Sequence, residues 1–295
     1  MRGIELRENL AVAVVLDELG AVRARAERPV AGDPAAAALA ALGAVAAASS
    51  GPGLGVAAAR PDSGVAGAVL ASLKSRYAVA TVCDRAAPSG TAAAVAEAWV
   101  GAARGVHDVV YLAVADHTIA GVVRGGEPVV GAHGRAAAVA WFALNPVERE
   151  DYRKTGCLEA EAGAAGIVRR LIWRIKAGDT SQIQEIVNGD LTAITLDHVL
   201  DGARLKDGLS MSVMRDTARY LGMAAANLVL TADPEMLVLG GIMASAPDVL
   251  YDLVRTEIGR RLPEPMTKAL TIVIAALGPD AAAIGAARLS AVAPR

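Results

Sequence analysis

The stretch from Asp233 to Gly241, reading Asp-Pro-Glu-Met-Leu-Val-Leu-Gly-Gly, constrains this chain more than any other. It follows a long run of helical periodicity, and Pro234 ends that run because its ring clashes with the preceding turn and its nitrogen has no proton to donate. The apolar segment that comes next is too short for a helix and breaks into paired glycines. That is the pattern of a buried strand delivering its C-terminal end to a tight loop, and open α/β sheets bind their ligands at that end.

The preceding chain supplies layers to cover such a strand. Residues Gly3 to Val30 read as a β-hairpin or meander, with Asp17-Glu18-Leu19-Gly20 as the turn between the β-like runs Leu10–Leu16 and Ala21–Glu27. An Ala-rich helix at Pro34–Ala47 leads into Ser49-Ser50-Gly51-Pro52-Gly53-Leu54-Gly55. Its glycine spacing fits neither a Walker loop nor a dinucleotide fingerprint, so an ordinary turn is expected. A helix at Gly64–Ser75, a buried strand at Ala78–Cys83 and a helix at Thr91–Arg104 capped by Thr91 continue the alternation. Strand-like runs follow at Asp108–Val114 and Ala120–Val123, and the polar residues Asn145–Thr155 read as a surface excursion. Helices are then predicted at Leu158–Ala177, Thr180–Val187, Leu196–Leu205, which Thr195 caps, and Leu209–Leu230. The chain ends in a βαβα unit: strand Met236–Leu239, helix Pro247–Leu262, strand Leu270–Ala275 and helix Asp280–Val292. This alternation predicts mixed sheets flanked by helices.

At 295 residues the chain can bury two cores, and two lobes are expected. Its hydrophobic fraction of 54% is dominated by Ala, with aromatics at only 3%, which predicts close-packed helices over sheets. The 29 basic and 31 acidic residues are spread along the chain, so no basic stripe points to nucleic acid. The start lacks the charged, apolar and small-residue regions of a signal peptide, and the apolar run Ala35–Ala48 is shorter than a bilayer span. A soluble cytoplasmic protein with no membrane contact is the expectation. Cys83 and Cys157 are too few for a four-thiolate zinc site and are expected to be reduced.

Several segments together resemble the ROK family of sugar kinases and sugar-responsive repressors. They are Leu221-Gly222 through Asn227-Leu228-Val229, Asp233-Pro234-Glu235 through Leu239-Gly240-Gly241, and Leu277-Gly278 through Asp280 to Ala286. Gly156-Cys157-Leu158-Glu159 matches the tail of the family signature, and the helix Ala92–Gly105 followed by Asp108-Val109-Val110-Tyr111 also matches. The resemblance implies an α/β protein with the two-lobed actin-like, ribonuclease H-like fold. Its lobes would be residues 1–115, completed by the C-terminal helix 280–295, and residues 116–279. It also implies a homodimer.

Most of the family's working parts are altered. The phosphate-binding hairpin Asp-x-Gly-Gly-Thr corresponds to Glu5-Leu6-Arg7-Glu8-Asn9, where side chains replace both glycines. The second phosphate loop, Gly-Thr-Gly-x-Gly-Gly-Gly, falls on Ala115–Gly121 and keeps only Gly121. The catalytic Asp falls on Ser89 when aligned back from the helix, or on Ala86 when aligned forward from the strand. Asp84 is the nearest carboxylate, either a displaced catalytic base or a solvated residue at a strand end. The sugar-binding Gly-Glu-Ile-Gly-His becomes Ala137–Trp141, and the zinc signature becomes Glu150–Cys157 with a single thiol. A structural zinc site needs about four protein ligands, so no metal is expected.

What the resemblance retains is Glu159, a sugar contact in the family, although a carboxylate in a first helical turn also suits the helix dipole. Gly240 and Gly241 match the family's adenosine-side loop and equally suit any strand-to-helix turn. Among the histidines, His107, His117, His133 and His198 show no i, i+4 metal spacing, and His133, between Gly131 and Gly134 near the presumed cleft, is the one expected to contact substrate. The pattern implies a catalytically inactive relative of the sugar kinases, binding a small sugar-like ligand as a sensor, scaffold or regulatory partner. The alternatives are an atypical sugar kinase using ATP and Mg with Asp84 as base, or a regulator of the family's repressor type without its own helix-turn-helix.

Overall fold

A computed structural model of the protein describes residues 1–48, 53–61, 63–77 and 83–292. The strand expected at Ala78–Cys83 lies outside them apart from Cys83, as does most of the glycine-rich turn that begins at Ser49. The first sheet contains β1 (Arg2–Leu6), β2 (Leu10–Leu16), β3 (Val22–Pro29), β4 (Leu54–Ala58) and β5 (Ala87–Pro88), in the order β3-β2-β1-β4-β5. Strand β1 runs antiparallel to β2 and parallel to β4. The second sheet contains β6 (Val109–Val114), β7 (Thr118–Arg124), β8 (Glu127–Pro128), β9 (Met236–Gly241) and β10 (Thr271–Ile274), in the order β10-β9-β6-β7-β8. Here β6 is parallel to β9 and antiparallel to β7.

Both sheets are covered on both faces, which is why β2 and β6 are continuous apolar runs instead of alternating ones. In β2, Ala11, Ala13 and Val15 pack under α1 (Pro34–Val45) and α2 (Gly64–Arg76), while Val14 and Leu16 turn to the other side. Those two meet Ala283, Ile284 and Ala287 of the C-terminal helix. Strand β3 is an edge and carries Arg23, Arg25 and Glu27, charges that discourage pairing with another chain.

In chain order the remaining helices are α3 (Ser89–Val100), α4 (Glu150–Thr155), α5 (Cys157–Ala162), α6 (Ala164–Lys176), α7 (Ile183–Ile186) and α8 (Leu196–Arg204). They continue with α9 (Gly208–Ala232), α10 (Ile242–Ser245), α11 (Pro247–Gly259), α12 (Glu264–Ala269) and α13 (Ala281–Val292). Helix α3 packs on β6 and β7, α13 packs on β1 and β4, and the two helices pack on each other between the sheets. The contact is so close that a Cβ at Gly285 would lie 1.7 Å from the Ala92 carbonyl oxygen. The Ala-rich composition therefore reflects dense helix packing, as expected.

Three local expectations change. The helix expected at Leu158–Ala177 is two helices, α5 and α6, broken at Gly163, whose backbone is extended (φ −66°, ψ 157°). Helix α3 begins at Ser89 with Pro88 at its N-cap and no side-chain cap; Thr91 lies inside the helix, wholly buried. The excursion Asn145–Thr155 folds partly into α4, with Tyr152 buried. By contrast, Thr195 does cap α8, reciprocally with His198, and α9 ends at Asp233, just before Pro234. Both cysteines are free thiols. Among the described residues, no helix is long and apolar enough to cross a membrane.

Candidate functional site

A cavity of about 290 Å³ opens where the end of β4, the start of α3, the β6–β7 hairpin, the loop 134–141 and α5 converge. Its size lies at the lower edge of ordinary small-molecule sites, about 300–1,000 Å³. Two glycines set the wall. A Cβ at Gly90 would fall 2.0 Å from the Ala120 carbonyl oxygen, and one at Gly121 would fall 2.2 Å from the Gly90 carbonyl oxygen. The first turn of α3 thus lies directly on the backbone of β7. Gly121, the sole residue kept from the phosphate loop, has a packing role that requires glycine.

Glu159 enters the cavity from the first turn of α5 and its side chain is 12% exposed. Its carboxylate accepts three hydrogen bonds: from Nδ1 of His117 at 3.0 Å, from the Thr118 backbone N–H at 2.6 Å and from the Thr118 hydroxyl at 2.7 Å. Gly163 leaves room for it, since a Cβ there would lie 2.8 Å from a Glu159 carboxylate oxygen. The helix break at Gly163 and the position of Glu159 are therefore one arrangement. Burial works to raise the Glu159 carboxyl, but the hydrogen bonds from His117 and Thr118 outweigh it and hold the group below its usual range. The hydrogen bond to Glu159 raises His117, with burial and nearby Arg60 opposing and Glu8 assisting. Glu8, at the tip of the β1–β2 turn, approaches Nε2 of His117 at 3.9 Å. This is a carboxylate–imidazole pair biased toward its charged form.

The other charged lining residues are Arg60 and Arg135, and Trp141, 57% exposed, provides an apolar face at the rim. Ser89 lines the cavity with 1% exposure, and its hydroxyl has no protein partner.

The expected site residues are distributed unevenly around this geometry. Glu159 lies in the cavity wall. Asp84 does not; its side chain is 99% exposed and pairs with Lys74 at 3.0 Å. His133 is exposed and outside the wall, although the next residues, Gly134 and Arg135, belong to it. Gly240 and Gly241 end β9 away from this wall. A Cβ at Gly240 would lie 2.3 Å from the Tyr111 hydroxyl, and Gly241 has φ +61° with its Cβ direction blocked at 1.8 Å by the Val114 carbonyl oxygen. Packing alone requires both to be glycine. The residues that sequence reasoning passed over are His117 and Thr118. No local pattern marks them, because His117 meets Glu159 across 42 positions.

Two altered motifs also have definite structures. In the β1–β2 turn, Arg7 hydrogen-bonds Glu5 at 2.8 Å and reaches the Pro279 carbonyl at the start of the last helical segment. In the segment Glu150–Cys157, Asp151 pairs with Arg149 at 2.8 Å and with Arg169 at 2.9 Å, and Cys157 is the one thiol.

Known proteins show the same architecture. The sequence model of the ROK family matches residues 31–292. A glucokinase of Halalkalibacterium halodurans is 30% identical over 197 residues, covering 65% of this chain and 59% of that protein. An N-acetylglucosamine repressor of Shigella flexneri is 26% identical over 166 residues, covering 56% of this chain and 39% of the repressor. The match therefore spans less than two thirds of these relatives' length. Among solved structures, a ROK family glucokinase from Streptomyces griseus in complex with glucose and AMPPNP superposes with a TM-score of 0.82 at 22% identity, covering 99% of both chains. A ROK hexokinase from Thermus thermophilus gives 0.79 at 24% identity, covering 99% of this chain and 98% of that one.

Proposed function

We propose, because the chain belongs to the ROK family, that it binds a small sugar-derived ligand in the cavity at Glu159 and no longer transfers phosphate from ATP. The observation that carries this reading is the condition of the available carboxylates. A general base must come within about 2.6–3.2 Å of the hydroxyl it deprotonates. Among the described residues, Glu159 is the only acidic side chain lining the cavity, and it is already committed to His117 and Thr118. Asp84 stands outside the wall, and Ser89 has no basicity to offer.

The altered loops support the same conclusion. Arg7 and Glu8 put side chains where a polyphosphate needs bare backbone, and Arg7 is bonded to Glu5 and Pro279. These residues do not fit a magnesium-bound triphosphate. Nor does the Glu150–Cys157 segment fit zinc, since its single thiol is joined by an aspartate already paired to two arginines. On this reading the protein is a cytoplasmic homodimer that acts as a sensor or scaffold through a protein partner, without touching DNA directly.

Thermal-shift titration and a coupled ATP-hydrolysis assay test it together. A panel of hexoses and amino sugars should include members that raise Tm, ATP with magnesium should not raise it, and no phosphorylated sugar should form. Phosphorylation of any panel sugar at an ordinary kinase rate, of order 1–100 per second, overturns the proposal and restores the atypical-kinase alternative.

A further inference from the structure

His117 has its two ring nitrogens on different neighbours. Nδ1 lies 3.0 Å from a carboxylate oxygen of Glu159, and Nε2 lies 3.9 Å from one of Glu8. Those neighbours come from opposite sides of the molecule. Glu159 stands on α5, which packs against β7 of the second sheet, and Glu8 stands in the turn between β1 and β2 of the first. The same two sides share the cavity. Ala59, Arg60 and Pro61 follow β4 of the first sheet, while His117, Thr118 and Ile119 belong to the β6–β7 hairpin of the second. The imidazole therefore joins, beside the cavity, the two sides that line it.

The strength of this join depends on one proton. A neutral imidazole has a single N–H, and donating it from Nδ1 to Glu159 leaves a lone pair on Nε2 facing the Glu8 carboxylate. Only the imidazolium presents an N–H and a positive charge to both acids. The charged groups acting on the ring come from three elements: Glu159 on α5 and Glu8 in the β1–β2 turn favour its charged form, and Arg60 after β4 opposes it. Glu8 is 67% exposed, so its hold on His117 is that of a surface pair, weak enough to be made and broken. Elsewhere the sides meet through contacts that carry no titrating group. Helices α3 and α13 pack on each other at Ala92 and Gly285, and Gly90 meets Gly121 through backbone alone.

We propose that Glu8 and His117 form a proton-operated latch between the two sheets: protonated His117 ties the β1–β2 turn to α5 and narrows the cavity between them, and loss of the proton frees the turn. The close backbone contacts at Gly285 and at Gly90 are the fixed end about which the Glu8 side moves. Without Glu8, the Arg60 charge repels the imidazolium with nothing on the first sheet's side to offset it. The latch concerns the protein on either side of the cavity and stands apart from the ligand proposed above.

Double electron–electron resonance on the full chain tests it, with spin labels at Glu27→Cys and Glu127→Cys, exposed positions on the edge strands β3 and β8, in a Cys83→Ser background. With Glu8 and His117 in place, the label separation should be short and narrowly distributed at about pH 6 and longer or broader at about pH 9. The midpoint of that change should coincide with the His117 titration followed by NMR of the ring nitrogens. Glu8→Gln should keep the longer distribution at both pH values and lower the His117 midpoint by about 0.2–0.7 on the pH scale, the equivalent of an exposed pair. His117→Gln should remove the pH dependence. A separation that does not change with pH, a Glu8→Gln chain that still closes at the lower pH, or a His117 midpoint unmoved by Glu8→Gln overturns the latch.

Discussion

Glu159 and Glu161 are two residues apart in α5, both largely buried, and they are satisfied in opposite ways. Glu159 faces the cavity, with 12% of its side chain exposed, and is held by an imidazole and a threonine. Glu161 faces the core beneath α4 and α6, with 4% of its side chain exposed. It receives Arg149 at 3.0 Å and the Tyr152 hydroxyl at 2.5 Å, and Arg170 lies 3.8 Å away. Arg149 in turn stacks over the rings of Tyr152 and Trp173 at 5.0 and 5.1 Å. Permanent cations and aromatic faces lock the inner carboxylate, whereas the outer one has partners that titrate and an open space beside it. The difference separates a clamp from a cavity wall: the segment at the position of the family's zinc signature is held to the fold by ion pairs, and the carboxylate after it borders the cavity.

The largest expected effect falls on the clamp. Glu161→Gln leaves Arg149 with Asp151 alone and removes the carboxylate nearest the largely buried Arg170, so the loss should approach the roughly 3–5 kcal/mol of breaking a buried pair. Urea denaturation measures it. A loss below that of any Glu159 variant would reverse the ranking of the two carboxylates and remove the reason for calling this network structural.

Glu159→Gln comes next. It retains the size of the side chain and one acceptor for Thr118, so the stability loss should be about 1–3 kcal/mol. Binding of whichever panel sugar raises Tm should fall by tenfold or more, a loss that Glu161→Gln should not reproduce in protein that remains folded. Equal loss of binding in the two variants would mean that Glu159 acts only through the fold.

The fold was legible where a single physical cause acts locally. Pro234 ends α9, and Thr195 begins α8, because a ring without a donor and a hydroxyl near exposed N–H groups act over a few residues. The family resemblance brought out Glu159. The break at Gly163 was hidden, since the apolar pattern runs on through Ala162, Ala164 and Ala165, while what excludes a Cβ at Gly163 is the Glu159 backbone carbonyl at 2.7 Å and its carboxylate at 2.8 Å. The site was hidden for the same reason. His117 stands in a hairpin turn with no period to reveal its direction, and its partner comes from a helix 42 positions later. Asp84 drew attention as a carboxylate near the expected base, but proximity in sequence did not bring its side chain to the wall.

The smallest effect is the most discriminating, because it depends on protonation alone. His117 is raised by its hydrogen bond to Glu159, so its contribution to stability is fully present below the unfolded-state value of 6.5 and is lost as pH rises through the higher folded-state value. Glu159 is lowered, so its contribution is present above the unfolded-state value of 4.5 and is lost as pH falls through the lower folded-state value. The pair is therefore intact from about pH 4.5 to 6.5 and weakens on the alkaline side by on the order of 1 kcal/mol. Denaturation between pH 6 and pH 9 should show this decline in the native chain and not in His117→Gln, which cannot titrate. The Glu161 clamp offers no such slope, because guanidinium groups keep their charge throughout that range and the raised Tyr152 phenol stays protonated. If the slope persists in His117→Gln, the titrating group lies elsewhere, and the contrast between a locked carboxylate and a responsive one fails at its physical basis.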